Sequence, residues 1–254
     1  MKKAFFLSVT LQFLFLCSYS QILNIESYRL EKDTSNVFLG NIGAGFNTKK
    51  QAISTINRYN SNINAAYLSQ NNAYLLLSTL ALVQVANQQV QNEGYIHFRI
   101  NFLRKKKYSP ELFSQLQYDR GRGLEKRELV GLTCRARIFY NKNWSISGNS
   151  GLMLENENWN FNAEIKNTEF IKSTSNITIK SKLTPTINWY LITYYQARLQ
   201  YFLQPRLTLD TYFQFKISSK FNFNMQYVAT YDEKPVISIP NLIYSLNSII
   251  QYNF

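Results

Sequence analysis

Hydrophobic and polar residues alternate along much of this chain, a pattern typical of β-strands because successive side chains of a strand point to opposite faces. The alternation is clearest over residues 207–217, 221–232 and 242–254. It predicts an all-β fold, a single antiparallel transmembrane barrel of about twelve strands of the length that a tilted membrane strand needs. The strands are predicted at residues 36–47, 52–68, 73–86, 92–104, 110–119, 129–140, 144–155, 173–184, 187–203, 206–217, 220–232 and 241–254.

The third predicted strand, residues 73–86, is apolar on both faces. Periodicity alone would also fit a buried helix here. We interpret it as a strand because a helix cannot supply one wall of a closed sheet, and because bacterial barrels favour even strand numbers.

The last strand carries aromatic and apolar residues on one face and polar residues on the other. This arrangement resembles the signal by which bacterial outer-membrane barrels are recognised for insertion, and it predicts the assembly machinery and the outer-membrane lipids as partners. A soluble lipocalin-like barrel would turn its apolar face inward, and the aromatic end argues against it. The predicted insertion signal is Leu246, Ile250, Tyr252 and Phe254.

The amino terminus has the features of an export signal. Lys2 and Lys3 precede an apolar run, and Ser18 and Ser20 stand where a signal peptidase reads small residues. The apolar run is too short to cross a membrane as a helix. We therefore predict a signal peptide over residues 1–20, a polar periplasmic lead over 21–35, and an outer-membrane barrel over 36–254.

Composition and charge narrow the function classes. Aromatic residues make up 15% of the chain, which suits strands and the aromatic girdles of membrane barrels. Removing Lys2 and Lys3 from the formal net charge of +13 leaves +11. An exported barrel does not meet cytoplasmic nucleic acid, so no nucleic-acid partner is expected. The positive charge indicates contact with anionic lipid headgroups or a lumen that prefers anions.

Alternation directs charged residues of both signs into the lumen, where a buried charge must be paired or hydrated. Two interpretations stay open: a structural barrel largely filled by ion pairs and bulky side chains such as Tyr190, Phe202 and Tyr212, or a narrow channel for small anions. The predicted lumen-lining residues are Arg58, His97, Arg99, Glu111, Arg135, Arg137, Lys180, Lys182, Arg198, Asp210, Lys216 and Asp232.

Several short motifs resemble an uncharacterised family. They are Asn-Ile-Glu-Ser at 24–27, Gly-Tyr-Ile-His-Phe-Arg-Ile-Asn-Phe at 94–102, Phe-Ser-Gln-Leu-Gln-Tyr-Asp at 113–119, and the segment 124–131. The resemblance is to the domain of unknown function 481 family, also called salt-induced outer-membrane proteins, in its Bacteroidetes form. It implies an outer-membrane β-barrel with no established activity.

A lipid-modifying enzyme is the rival class. Such enzymes carry a histidine and serine pair at the lipid-facing surface. His97 is the one histidine, alternation turns it into the lumen, and no serine occurs between Glu93 and Arg104. The chain also has no phosphate-binding glycine loop and no zinc or calcium motif. We therefore expect no catalytic residue, cofactor or metal.

The connections between strands predict an orientation. Short connections at 141–143, 184–186 and 218–220 follow even-numbered strands, and longer ones at 119–128, 156–172 and 233–240 follow odd-numbered strands. Short turns of such barrels face the periplasm and long loops face outside. The loop at 156–172, which contains Trp159, Phe161 and Phe170, is the candidate contact for an external partner. Membrane-interface anchoring is the alternative role for these aromatic side chains.

Overall fold

The fold is a single antiparallel sheet of twelve strands in a computed structural model that describes residues 36–50, 55–86, 88–161, 164–218 and 221–252. Each strand pairs with its neighbours in chain order. The strands are β1 Val37–Lys50, β2 Thr55–Leu68, β3 Ala73–Val85, β4 Gln88–Asn101, β5 Tyr108–Asp119, β6 Leu124–Tyr140, β7 Trp144–Phe161, β8 Glu164–Thr184, β9 Ile187–Arg198, β10 Arg206–Lys216, β11 Phe221–Asp232 and β12 Leu242–Tyr252. The predicted signal peptide, the lead segment and Phe254 lie outside the described residues.

The sheet curves into a barrel. Glu157 Oε1 on β7 and Arg206 Nη1 on β10 are 3.0 Å apart, although β8 and β9 lie between these two strands in the sheet. Residues of β2, β4, β6, β10 and β12, among other strands, line one central cavity. The predicted all-β barrel of about twelve strands is therefore confirmed. No helix in the described part of the chain has the length and apolar character needed to cross a bilayer.

Outward side chains form an apolar belt around the barrel. It runs from Tyr108 to Tyr118 on β5, from Val130 to Phe139 on β6, and from Trp144 to Leu154 on β7, ten or eleven residues in each case. Ten strand residues tilted by about 40° span about 26 Å, which matches the apolar band of about 25 Å in transmembrane barrels. The belt has the height of a bilayer core.

The two ends of the barrel differ. The end that holds the short β2–β3, β4–β5, β6–β7 and β8–β9 connections is called the turn end here, and the opposite end is called the loop end. Outward aromatic rings meet in a row along the turn-end edge of the belt, with centroids 6.0 to 6.3 Å apart. The row is Trp144, Trp189, Phe213, Phe215 and Phe223. Such a girdle marks the membrane interface.

Strands β7 and β8 continue well past the belt at the loop end. The predicted loop at 156–172 is wrong: most of it is a paired hairpin, with Asn156 opposite Glu169 and Asn158 opposite Asn167. Above the belt the outward side chains contact water, so polar residues occupy both faces of the strands. The alternation that reveals a membrane strand therefore disappears from the sequence. The segment predicted as a loop that contacts an external partner is therefore an extended hairpin.

Strand β3 is apolar on both faces because its inward face also packs. Leu75 and Leu77 point into the lumen and are 2% exposed. They contact Ala66 on β2, and Tyr95 on β4 packs against them. The strand predicted at residues 73–86 is therefore confirmed.

Candidate functional site

The lumen is the concave surface where chemistry can occur, and its side chains form layers along β5, β6 and β7. From the turn end to the loop end the inward residues alternate between polar, apolar, ionic and apolar groups. The layers are Glu111 with Asn149; Phe113, Leu129 and Met153; Arg127, Glu155 and Glu157; and Leu124 with Trp159.

The first layer surrounds Glu111, which is completely buried. Its carboxylate accepts hydrogen bonds from Asn101 Nδ2 and Asn149 Nδ2, both at 2.7 Å, and from Arg99 Nη1 at 3.3 Å. Three donors from two strands, β4 and β7, satisfy a charge that would otherwise be expensive to bury. The sequence predicted Arg99 and Glu111 in the lumen, and the structure places them in contact.

His97 lies next to this layer. Arg99 Nε is 3.3 Å from His97 Nε2, and His97 Nδ1 is 3.0 Å from Gln115 Oε1. Because the guanidinium can only donate, Nε2 is the acceptor and Nδ1 carries the proton. The imidazole also stacks on Phe113, with centroids 5.9 Å apart. Both ring nitrogens are engaged inside the barrel, away from the lipid.

The second layer is apolar and depends on a glycine. Phe113, Leu129 and Met153 are all less than a tenth exposed and contact one another. A Cβ on Gly131 would lie 2.3 Å from the Phe113 ring, so only glycine leaves room for it. This layer fills the middle of the lumen along β5 to β7.

The third layer is ionic and centres on Glu155, which is also fully buried. Its carboxylate pairs with Arg127 from β6, with Lys172 from β8, and with Arg206 Nη1 from β10 at 3.2 Å. Three cations from three strands thus converge on one acidic group.

Two further carboxylates complete this ionic layer. Glu157 Oε1 is 3.0 Å from Arg206 Nη1 and 3.1 Å from Arg127 Nε, and Arg206 Nε donates to Asp232 Oδ2 at 2.8 Å. The layer therefore holds three cations and three anions, with zero net charge. Buried charges need this complete pairing to offset their lost hydration.

An apolar cap covers the ionic layer. The connection between β11 and β12 folds over the loop end, and its Val236 and Ile237 pack against Leu124 of β6 and Trp159 of β7. Trp159 Nε1 donates to Glu157 Oε2 at 3.0 Å, which ties the cap to the ionic layer. The sequence predicted this connection as an external loop, but it did not predict that the connection packs inward.

A cavity of about 700 Å³ occupies the remainder of the lumen toward the loop end. Among its described lining residues, Leu77, Arg99 and Val228 lie nearest the turn end. Closer to the turn end, the inward rings of Tyr190 and Tyr212 stack with centroids 4.3 Å apart. The cavity is therefore deep on the loop side and bounded by packed side chains on the turn side.

The structure also locates the other predicted lumen residues. Arg135 is buried near the turn end, and Gln226 Nε2 donates to Asp210 Oδ1 at 2.9 Å. Arg198 lies against the Phe170 ring, 3.5 Å from its centroid. The structure also places these predicted residues on the inward face of their strands or at its ends: Arg58, Arg137, Lys180, Lys182, Lys216 and Asp232.

Some expectations from the sequence were wrong or incomplete. Phe202, predicted to narrow the lumen, is 53% exposed because β9 ends at Arg198. Of the ionic layer, only Asp232 was among the predicted residues. Continuing the two-residue steps past Leu129 and Met153 would have reached its residues Arg127, Glu155 and Glu157.

The insertion signal is only partly described. Leu246 points outward on β12 and is 60% exposed, as expected of a lipid-facing residue. Ile250 and Tyr252 lie at the end of the same strand, and their side chains are outside the described part of the structure.

Comparison with known proteins identifies the family. The sequence model of the family described as "Protein of unknown function, DUF481" matches residues 42–239. No curated protein matches the chain. Among solved structures, the chain is similar to the NanC porin, with 6% identity, a TM-score of 0.46, and coverage of 87% of this chain and 100% of the porin.

A second similar structure is the beta domain of the Bordetella autotransporter BrkA. The identity is 8%, the TM-score is 0.40, and the match covers 85% of this chain and 98% of that domain. Since the family model spans most of the chain, the protein belongs to the DUF481 family.

Proposed function

We propose that this DUF481 protein is a non-enzymatic β-barrel of a bacterial outer membrane whose lumen is closed by its own side chains, and that its role is structural. The outer-membrane location is supported by the apolar belt and its turn-end aromatic girdle. The observation that carries the closed lumen is the ionic layer, where Glu155 joins Arg127, Lys172 and Arg206.

The closed lumen is supported on both walls of the barrel. Along β5 to β7 the apolar and ionic layers are continuous, and the cap with Val236 and Ile237 covers them. Along β9 and β10 the stacked Tyr190 and Tyr212 rings lie on the turn side of the cavity. A solute entering from the loop end would meet packed side chains before it reached the turn end.

The non-enzymatic role is supported by the environment of His97. Its Nε2 accepts from Arg99 and its Nδ1 donates to Gln115, both inside the barrel. A general base must reach the proton that it removes, and an ester in the bilayer lies on the other side of the sheet. We propose no catalytic residue for that reason.

Conductance in planar bilayers tests the closed lumen. The refolded wild-type protein should give no stable open-channel steps, whereas a general porin reconstituted in the same way should give them. Heat-modifiable migration on gels would show that the same preparation is folded. Regular, well-resolved steps from the wild-type protein would contradict the closed barrel.

A narrow anion-preferring channel is the second candidate, and the 700 Å³ cavity favours it. Cationic side chains, including Arg135, Arg137 and Lys180, lie on the inward face toward the turn end. If the barrel conducts, fixed positive charge should raise the local anion concentration. Replacing Arg135 and Arg137 with Gln should then shift the reversal potential in a salt gradient toward cation preference. An unchanged reversal potential would contradict anion selection by these residues.

A further inference from the structure

The outer rim of the turn end carries exposed lysines. The connections that the structure describes at this end, residues 69–72, 102–107, 141–143, 185–186 and 217–218, contain no Asp or Glu. The lysines come from the β4–β5 and β6–β7 connections. We call the set the lysine rim: Lys105, Lys106, Lys107 and Lys142.

At the loop end, three surface cations have carboxylates beside them. Lys126 Nζ is 2.7 Å from Glu128 Oε1, and Arg120 Nε is 3.3 Å from Glu125 Oε2. Arg122 pairs with Asp119. The positive excess of the described surface is therefore concentrated at the turn end.

The lysine rim borders the aromatic girdle directly. Lys142 precedes Trp144 by two residues. Lys107 Nζ is 5.5 Å from the centroid of the exposed Tyr108 ring. Aromatic rings at a bilayer interface lie at headgroup level, so ammonium groups beside them lie there too.

We propose that the lysine rim binds the anionic phospholipid headgroups of the leaflet at the turn end. The inference rests on the membrane location in the proposed function and not on the closed lumen. Each ammonium group near a membrane surface is attracted to anionic lipid, and the attraction falls off within a Debye length. Four lysines on two neighbouring turns of this end therefore favour anionic over zwitterionic lipid there.

Tryptophan fluorescence provides a local test. Trp144 lies in the girdle two residues from Lys142, and its ring contacts Trp189, whereas Trp159 is buried under the cap at the loop end. The wild-type protein is refolded into vesicles of mixed phosphatidylcholine and phosphatidylglycerol, with bromine on the acyl chains of one lipid at a time. Quenching by brominated phosphatidylglycerol should exceed its mole fraction, with a relative association about two- to fivefold above phosphatidylcholine at low salt.

Two matched variants locate the effect. Replacing Lys106, Lys107 and Lys142 with Gln should remove the excess quenching, as should raising the salt concentration to about 1 M, where the Debye length is about 3 Å. Replacing Lys50, Lys126 and Lys166 with Gln removes the same charge from the loop end and should leave the excess unchanged.

The outcomes separate the two proposals. Equal quenching by both brominated lipids in the wild type, or excess quenching that survives in the turn-end variant, would overturn the lysine rim as a lipid site. Loss of the excess in the loop-end variant would also overturn it. A folded barrel that neither brominated lipid quenches would instead contradict the membrane location.

Discussion

The two ends of the barrel handle charge in opposite ways. In the ionic layer at the loop end, Glu155 is fully buried, Arg127 and Arg206 are only about a tenth exposed, and every charge has a partner of opposite sign. At the turn end, lysines such as Lys106 and Lys142 are exposed and of one sign. The difference follows from hydration: a buried charge requires a partner within the protein, whereas an exposed charge keeps its water and can serve an external partner.

The largest expected effect comes from breaking the buried side of this comparison. Glu155→Gln would leave Arg127, Lys172 and Arg206 facing only Glu157 and Asp232, with an uncompensated positive charge inside the barrel. Removing one partner of a buried pair costs about 3–5 kcal/mol. The free energy of unfolding of the barrel in lipid vesicles, measured with denaturant, should fall by this amount.

The matched control uses an exposed acidic residue near the same end. Glu128 pairs with Lys126 on the outer surface of β6, and both side chains are nearly half exposed. Glu128→Gln should cost less than about 1 kcal/mol because water screens the pair. Equal losses for the two substitutions would show that the ionic layer is hydrated.

The next prediction concerns an arginine introduced on the outward belt, between the two ends of the barrel. Cys134 lies outward near the middle of the belt and is exposed, whereas Phe139 lies outward at the turn-end edge. Cys134→Arg should destabilise the barrel in vesicles by about 2–4 kcal/mol, and Phe139→Arg by about 1 kcal/mol or less, because the cost depends on depth in the bilayer. Denaturant unfolding of both variants in vesicles measures this contrast.

The reverse order for these two variants would contradict the position of the belt. Thr133→Arg, on the inward face next to Cys134, is not a suitable control because Thr133 is buried opposite Gly151. Ser114→Arg on the outward face of β5 is more suitable, and it should resemble Cys134→Arg.

The smallest expected effect concerns the cap. Ile237→Ala removes apolar contact with Leu124 and Trp159, and the loss of about 0.8 kcal/mol per buried methylene predicts about 2 kcal/mol. The β11–β12 connection should then be cleaved faster by added protease. Ile165→Ala, at an exposed site on the β7–β8 hairpin, should not change the cleavage rate. Equal cleavage of the wild type and Ile237→Ala would show that the cap is not held by these contacts.

The strands that lie within the belt could be predicted from the sequence. Two-residue alternation predicted that Ile96 and Phe98 face outward and that His97 and Arg99 face inward, and the structure has this arrangement. It could not give the full extent of β7 and β8. Beyond the belt both faces are polar, as at Asn156 and Asn158, and the pattern carries no signal there.

The class of fold and the two faces of each membrane strand follow from the sequence alone, because the pleat of a strand and the apolar bilayer act on every second residue locally. Which inward residues meet depends on the three-dimensional fold. Glu155 and Arg206 are 51 residues apart and come together through the curvature of the sheet. Ile237 reaches Trp159 for the same reason. The ionic layer and its cap depend on barrel closure, which is a property of all the strands together.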